Sequence, residues 1–424
     1  MPSSCTLREY FLPYPERRET LDELTAIQNN DPNKSRFYLD ECHFLPTPAW
    51  QMVGQTLASN DHVTWLDVEN CHLSVESFSA LVDGLKGNTS ITKLGLGSNP
   101  SILSEEGMQV LSSYLNHENC RVSELNLQSM DMDNTKLRRL LPMLQNSTKL
   151  TCLNLNNNYL YVQDSPLDEL HLVTNLEELY LGWNSLGIRG CEALANLLGN
   201  KDTKLRKLGL LANRLNNESC RILADGLKGN TTLKEMSLLS NNGINFRGWK
   251  SFLQVVCDES SIENTCLSNH TLYNLGIVND QRVLRGSLSN VTSRLHAMLK
   301  INANHDYTPH KKAQKKVAEM FFTDEYNLEP FLDIDVQITP RLLEWIGREC
   351  GIHAFHRFIR NWDVAILFGF PSRVKLLECE NERLQSKVAS LEVEISAMKE
   401  MIEKLMKEND SLKERAKERA TNGE

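Results

Sequence analysis

The sequence lacks any long apolar run. Its start, MPSSCTLREYFLPYPERRET, carries charge throughout, so no secretory leader is expected there. The longest late apolar stretch, VAILFGF at Val364–Phe370, falls far short of the roughly 20 residues a spanning helix needs. Positive charge is scarce as well: 46 Lys and Arg stand against 55 Asp and Glu, a net charge of −9. That balance argues against nucleic acid and anionic membranes as partners. Phosphate and hydrolase signatures are missing too. No G-x-x-x-x-G-K-[ST] loop, G-x-G-x-x-G turn, G-x-S-x-G elbow or H-E-x-x-H pair occurs, so neither catalysis nor a cofactor is expected. The 11 cysteines are odd in number and scattered, several at apolar repeat positions, which suits free thiols in a reducing compartment. A cytoplasmic protein is expected, with the nucleus left open.

What the sequence has is repetition. LVDGLKGNTSITKLGLGSNP from Leu81 returns as LADGLKGNTTLKEMSLLSNN from Leu223, 142 residues later. This is five units of about 28 residues. In that register L-x-x-L-x-L-x-x-N/C reads through Val63, Leu66, Val68 and Cys71, then Ile91, Leu94, Leu96 and Asn99, then Val122, Leu125, Leu127 and Met130. It continues through Leu150, Leu153, Leu155 and Asn158; Leu176, Leu179, Leu181 and Asn184; Leu205, Leu208, Leu210 and Asn213; and Leu233, Met236, Leu238 and Asn241. A degenerate unit with Phe37, Leu39 and Cys42 precedes these, and another with Ile262, Leu267 and His270 is expected to follow.

Positions 4 and 6 of each unit are two apart, so their side chains leave a strand on one face. At position 9 a short polar group can bond the amides of the turn, and stacking would set these groups in a ladder. An amphipathic helix follows. SVESFSALVDGLKGN places Phe78, Leu81 and Leu85 on one stripe, starting at Ser74 and stopping at Gly87. One strand and one helix bury too little alone, but a stack shares a continuous core.

Over residues 34–270 the chain resembles the leucine-rich repeat family, in particular its ribonuclease-inhibitor-like class, seen also in NOD-like receptors and the Ran GTPase-activating protein. The resemblance implies an α/β solenoid, a horseshoe with parallel strands inside and helices outside. It implies protein binding on the concave face far more readily than catalysis. Strand positions 2, 3, 5, 7 and 8 would be exposed there. Early units then offer an acidic, aromatic patch of Tyr38, Asp40, Glu41, Trp65, Asp67 and Glu69. Late units offer an apolar one of Tyr180, Trp183, Leu211 and Leu239. Exposed aromatics flanked by aliphatics resemble interface anchors; the competing reading is that the C-terminal region folds over the late patch. Glu177 and Glu178 with Arg206 and Lys207 read as cross-strand ion pairs.

Residues 1–33 are expected to form an N-terminal segment or cap, and 271–373 a helical cap or small helical domain, since a terminal repeat needs its open core hidden. Cys350, His353 and His356 have metal-like spacing but no nearby fourth ligand, and an amphipathic helix accounts for them without metal. From Val374 to Ala416 a heptad takes over. Asn381, Val388, Ile395, Ile402 and Asn409 fall at a; Leu384, Leu391, Met398, Leu405 and Leu412 fall at d. β-Branched a residues, leucine at d and asparagines at a favour a parallel dimer, expected to be a homodimer, with pairing to a related chain left open. Residues 417–424 read as a disordered tail.

The expected function is a non-enzymatic scaffold or adaptor that grips a protein partner of unknown identity and dimerises. The alternatives are a small-GTPase regulator resembling the Ran GTPase-activating protein, which lacks support here because that protein's acidic tail is replaced by a cap and a dimer helix, and a fragment of a NOD-like sensor.

Overall fold

The computed structural model describes residues 6–161, 166–260, 262–276 and 287–321, with 396 and 399 singly. The heptad segment, the Cys350–His356 motif, the tail and the helices expected between 340 and 368 lie outside those residues.

The elements follow the unit spacing. Helices α1 (Leu7–Phe11) and α2 (Arg18–Gln28) lead into β1 (Arg36–Asp40), α3 (Thr47–Ala58), β2 (Trp65–Glu69) and α4 (Val75–Leu85). Then come β3 (Lys93–Gly95), α5 (Glu105–Leu115), β4 (Glu124–Asn126), α6 (Asn134–Leu144), β5 (Cys152–Asn154) and β6 (Glu178–Tyr180). They are followed by α7 (Gly187–Gly199), β7 (Lys207–Gly209), α8 (Asn217–Leu227), β8 (Glu235–Ser237) and α9 (Phe246–Val256). Helices α10 (Ile262–Leu267), α11 (Ser287–Ala303) and α12 (Pro309–Phe321) close the described chain. The eight strands form one open sheet in chain order, and each neighbouring pair is parallel.

Register puts equal positions side by side: Phe37, Leu66, Leu94, Leu125, Leu153, Leu179, Leu208 and Met236 make one buried row. Each such leucine, fully removed from water, contributes about 1.5–3 kcal/mol. The helices stack on this side of the sheet and leave the other side open.

Position 9 is a hydrogen-bonded ladder. Buried Asn99 accepts from the amides of Cys71 (3.2 Å) and Leu73 (3.1 Å) in the preceding turn and donates to the carbonyls of Val68, Leu96 and Gly97. Asn158 and Asn241 repeat the pattern. Helix starts are capped at equivalent places: Ser74, Ser104, Asp133, Asn216 and Asn245 each accept a backbone amide of the first turn. In the fifth unit that place holds Tyr161, two residues on from Tyr159, and the described residues before β6 contain no α-helix. A 3₁₀ helix at Pro166–Leu172 stands in its stead.

The end of the stack departs from expectation. Ile262 and Leu267 lie in α10 rather than in a strand, and His270 follows it. The ninth strand position is reached later, at Tyr273–Leu275, where Asn274 bridges Glu235 and Met236 donates to the Asn274 carbonyl at 2.8 Å. A longer helix-to-strand passage displaces it, so a fixed period misses it. A second asparagine row marks the true register. Asn60, Asn88, Asn230 and Asn269 each stand three residues before Val63, Ile91, Leu233 and Leu272 and accept their amides. Repeat structure thus runs past residue 270. Helix α11 packs on α9, and α12 then covers the end, with Leu295, Met298, Leu299, Ala313 and Val317 buried.

Candidate functional site

The open face of the sheet presents positions 3, 5, 7 and 8. Position 3 is a charged and aromatic row: Arg36, Trp65, Lys93, Glu124, Cys152, Glu178, Lys207 and Glu235. The Arg36 guanidinium lies 3.7 Å from the Trp65 ring centre. Lys93 pairs with Glu124 at 2.7 Å, Lys207 with Glu178 at 2.8 Å and Arg206 with Glu177 at 3.3 Å. The last two are the cross-strand pairs expected from the sequence. Burial opposes the Glu178 charge, but Lys207 and the Tyr180 hydroxyl outweigh it and hold its carboxyl below the usual range. Cys152, between two glutamates, has its thiol pushed up to about 12 by burial and then by Glu178 and Glu124, so it is neutral at physiological pH.

Position 5 alternates large and absent side chains. Gly95 has no Cβ because Asp67 leans over it: a Cβ there would stand 2.0 Å from Asp67 Oδ1. Gly209 likewise sits beneath the Tyr180 ring. Between them Asn126 and Asn154 accept from the amides two residues on, at 3.1 and 2.9 Å, and turn their Nδ2 groups to no partner among the described residues. A recess of about 180 Å³ opens here, between Trp65 and Tyr180, with Gly95, Asn126 and Asn154 among its lining.

Position 8 is left-handed throughout. Glu41, Asn70, Ser98, Ser129, Asn157, Trp183, Ala212 and Ser240 all have φ between 49° and 58°. Asparagine tolerates that conformation, but for a bulky residue it is strained. Trp183 nevertheless occupies it and is 59% exposed.

The residues singled out from sequence thus divide. Of the early set, Tyr38 is exposed, Asp40 and Glu69 are half-buried, and Trp65 lies under Arg36. Glu41 is exposed but held by Arg17 at 3.0 Å. Asp67 is only 4% exposed, with Oδ2 3.1 Å from Arg36; burial raises its carboxyl above the usual range. Of the late set, Tyr180, Leu211 and Leu239 are half-buried around exposed Trp183. Gly276, in the ninth strand position, lies against Leu239. Sequence reading passed over Tyr159 and Tyr161, each 52% exposed and stacked on one another at 6.3 Å. For Tyr161 a signal was available: a tyrosine at a helix-cap position. It also passed over Gln128, which donates to Glu69 across side-chain-free Gly97.

One parallel strand per unit, buried apolar rows at positions 1, 4 and 6, and the position-9 ladder define a leucine-rich repeat solenoid. Known proteins narrow this. A ribonuclease inhibitor from Mus musculus is 28% identical over 220 residues, covering 50% of this chain and 46% of its own. The NACHT, LRR and PYD domains-containing protein 5 of Mus musculus is 29% identical over 208 residues, 42% of this chain and 18% of that one. Protein 3 of the same series from Rattus norvegicus is 27% identical over 260 residues, 52% of this chain and 25% of that one. The chain is a leucine-rich repeat protein of the ribonuclease-inhibitor-like class. It spans less than half the length of each of these relatives. No protein-family model matches it. A solved leucine-rich repeat-containing protein from Legionella pneumophila aligns over 66% of this chain and 86% of its own, at 18% identity and a TM-score of 0.43. No described helix is long and apolar enough to cross a membrane, and the described residues hold no group of three or more potential metal ligands.

Proposed function

We propose that this protein is a binding scaffold that captures a protein partner on the open face of its sheet and joins two copies through residues 374–416. The observation that carries the reading is Trp183. Neither packing nor backbone preference selects a largely exposed tryptophan in a left-handed turn, whereas a partner's surface would. Tyr180, Leu211 and Leu239 surround it with half-buried apolar groups. Pairing rests on the heptads, whose asparagines at a positions set register and strand number. Two linked faces gain avidity of about 10²–10⁴ against a partner that is itself repeated.

The partner is to be taken by co-purification with the full chain and titrated. Trp183→Ala with Leu211→Ala is expected to weaken binding by at least about 2 kcal/mol, the size of an anchor residue, with circular dichroism unchanged. Unaltered affinity rejects this patch as the site. Sedimentation of the chain with and without residues 374–424 is expected to change from dimer to monomer; a monomeric full chain removes the second half of the reading.

A further inference from the structure

The recess of about 180 Å³ on the open face has Trp65 and Tyr180 in its wall, and Gly95, which has no side chain, in its lining. The charged groups around it are spent on one another. Lys93 pairs with Glu124 at 2.7 Å, Lys207 pairs with Glu178 at 2.8 Å, and the Tyr180 hydroxyl donates to Glu178 at 2.7 Å. Asn126 and Asn154 also line the recess. Their oxygens accept from backbone amides, which leaves the Nδ2 groups as donors without partners among the described residues. The two residues stand side by side in the register of β4 and β5, about 5 Å apart. The field here is negative. After burial, which is the largest cause, Glu178 and Glu124 raise the Cys152 thiol by more than Lys93 and Lys207 lower it.

We propose that this recess receives a tyrosine side chain of the protein partner, its ring between Trp65 and Tyr180 and its hydroxyl oxygen accepting from Asn126 and Asn154. The inference rests on the reading that the open face binds a protein. Unpaired donors call for an acceptor, which phenylalanine, tryptophan, lysine and arginine do not carry. A negative field disfavours a carboxylate. Histidine, protonated in such a field, loses its acceptor. Serine, asparagine and glutamine bring an oxygen but no ring to set against two aromatic walls. A phenol brings an apolar ring and one neutral acceptor together. The volume suits one side chain rather than a drug-sized ligand.

The probes are p-cresol, toluene and p-toluate. The first is the tyrosine side chain itself, the second lacks its oxygen, and the third carries a carboxylate in place of the hydroxyl. Each is titrated into the isotope-labelled full chain, with binding read from the Trp65 indole N–H signal, assigned through Trp65→Phe. p-Cresol is expected to shift that signal, and toluene and p-toluate to bind about threefold or more weaker. Asn126→Asp with Asn154→Asp keeps an oxygen for each backbone amide and removes the donors. It is expected to weaken p-cresol about tenfold or more. Gln51→Glu with Gln55→Glu, which adds the same charge on the exposed side of α3, is expected to leave p-cresol binding unchanged. No shift with p-cresol, toluene or p-toluate as tight as p-cresol, or equal p-cresol affinity in both double variants overturns the proposal. If p-cresol ignores the recess while the Trp183/Leu211 variant still loses the partner, this inference fails and the protein-binding reading stands.

Discussion

Trp183 carries the fold's most visible local conflict. The backbone of position 8 must turn left-handed to deliver position 9 to its ladder, whatever residue stands there. Left-handed geometry costs most L-residues about 1–2 kcal/mol, and asparagine less. Two other units use asparagine at this place, Asn70 and Asn157. Trp183→Asn is therefore expected to raise stability by about 0.5–1 kcal/mol in urea unfolding, while partner binding weakens. A variant less stable than the parent would show that the indole supports the fold after all. The place of Trp183 was legible, because counting from the leucines fixes position 8. The burial of Asp67 was not: it depends on Arg36 from the strand before and on Gly95 from the strand after.

Among the elements, helices were legible where a cap residue and an apolar stripe agreed, as at Ser74 with Phe78, Leu81 and Leu85. How closely those helices approach was not. A Cβ at Gly54 would lie 2.3 Å from the Leu81 carbonyl oxygen, so α3 and α4 touch backbone to backbone. Gly54→Ala is expected to cost about 2 kcal/mol net, overpacking outweighing the helix preference of alanine. Gly199→Ala, whose Cβ would meet nothing nearer than the Gly226 carbonyl oxygen at 3.9 Å, is expected to stay within about 0.5 kcal/mol of the parent. Equal effects by urea titration would refute the close-approach account. The fifth unit holds Tyr161 at the cap position and a 3₁₀ helix at Pro166–Leu172, yet α7 forms without a side-chain cap, so the cap alone does not decide the element.

For the repeat stack as a whole, the sealed end is the pH-sensitive part. Lys316 on α12 is 0% exposed and donates to the carbonyls of Val256 and Asn269 and to His270 Nδ1. Burial brings Lys316 down to about 7 and, with the nearby Lys316 charge, His270 to about 4. Both are bases with lowered folded values, so on acidification the unfolded chain takes each proton first. Their contribution makes stability fall from above pH 8 toward 7 through Lys316, and again from about 6.5 toward 4 through His270. Above pH 9 the buried thiols, Cys257 among them at about 12, act in the opposite direction. Between pH 8.5 and 7 a loss of up to about 1.4 kcal/mol per unit is expected, read as faster amide exchange across Leu272–Gly276. Lys316→Met should flatten that slope; an unchanged slope would assign it elsewhere.

The sequence by itself determined the unit, its strand and helix faces, the position-9 ladder and the ion pairs between neighbouring strands. Each of these follows from spacings of a few residues, repeated often enough to outweigh any single exception. Only the tertiary structure decided where the ninth strand begins, which carboxylates are covered, and which glycines mark close contact. Those depend on side chains about one repeat length apart in sequence and about 5 Å apart across the sheet, and no local spacing encodes that approach.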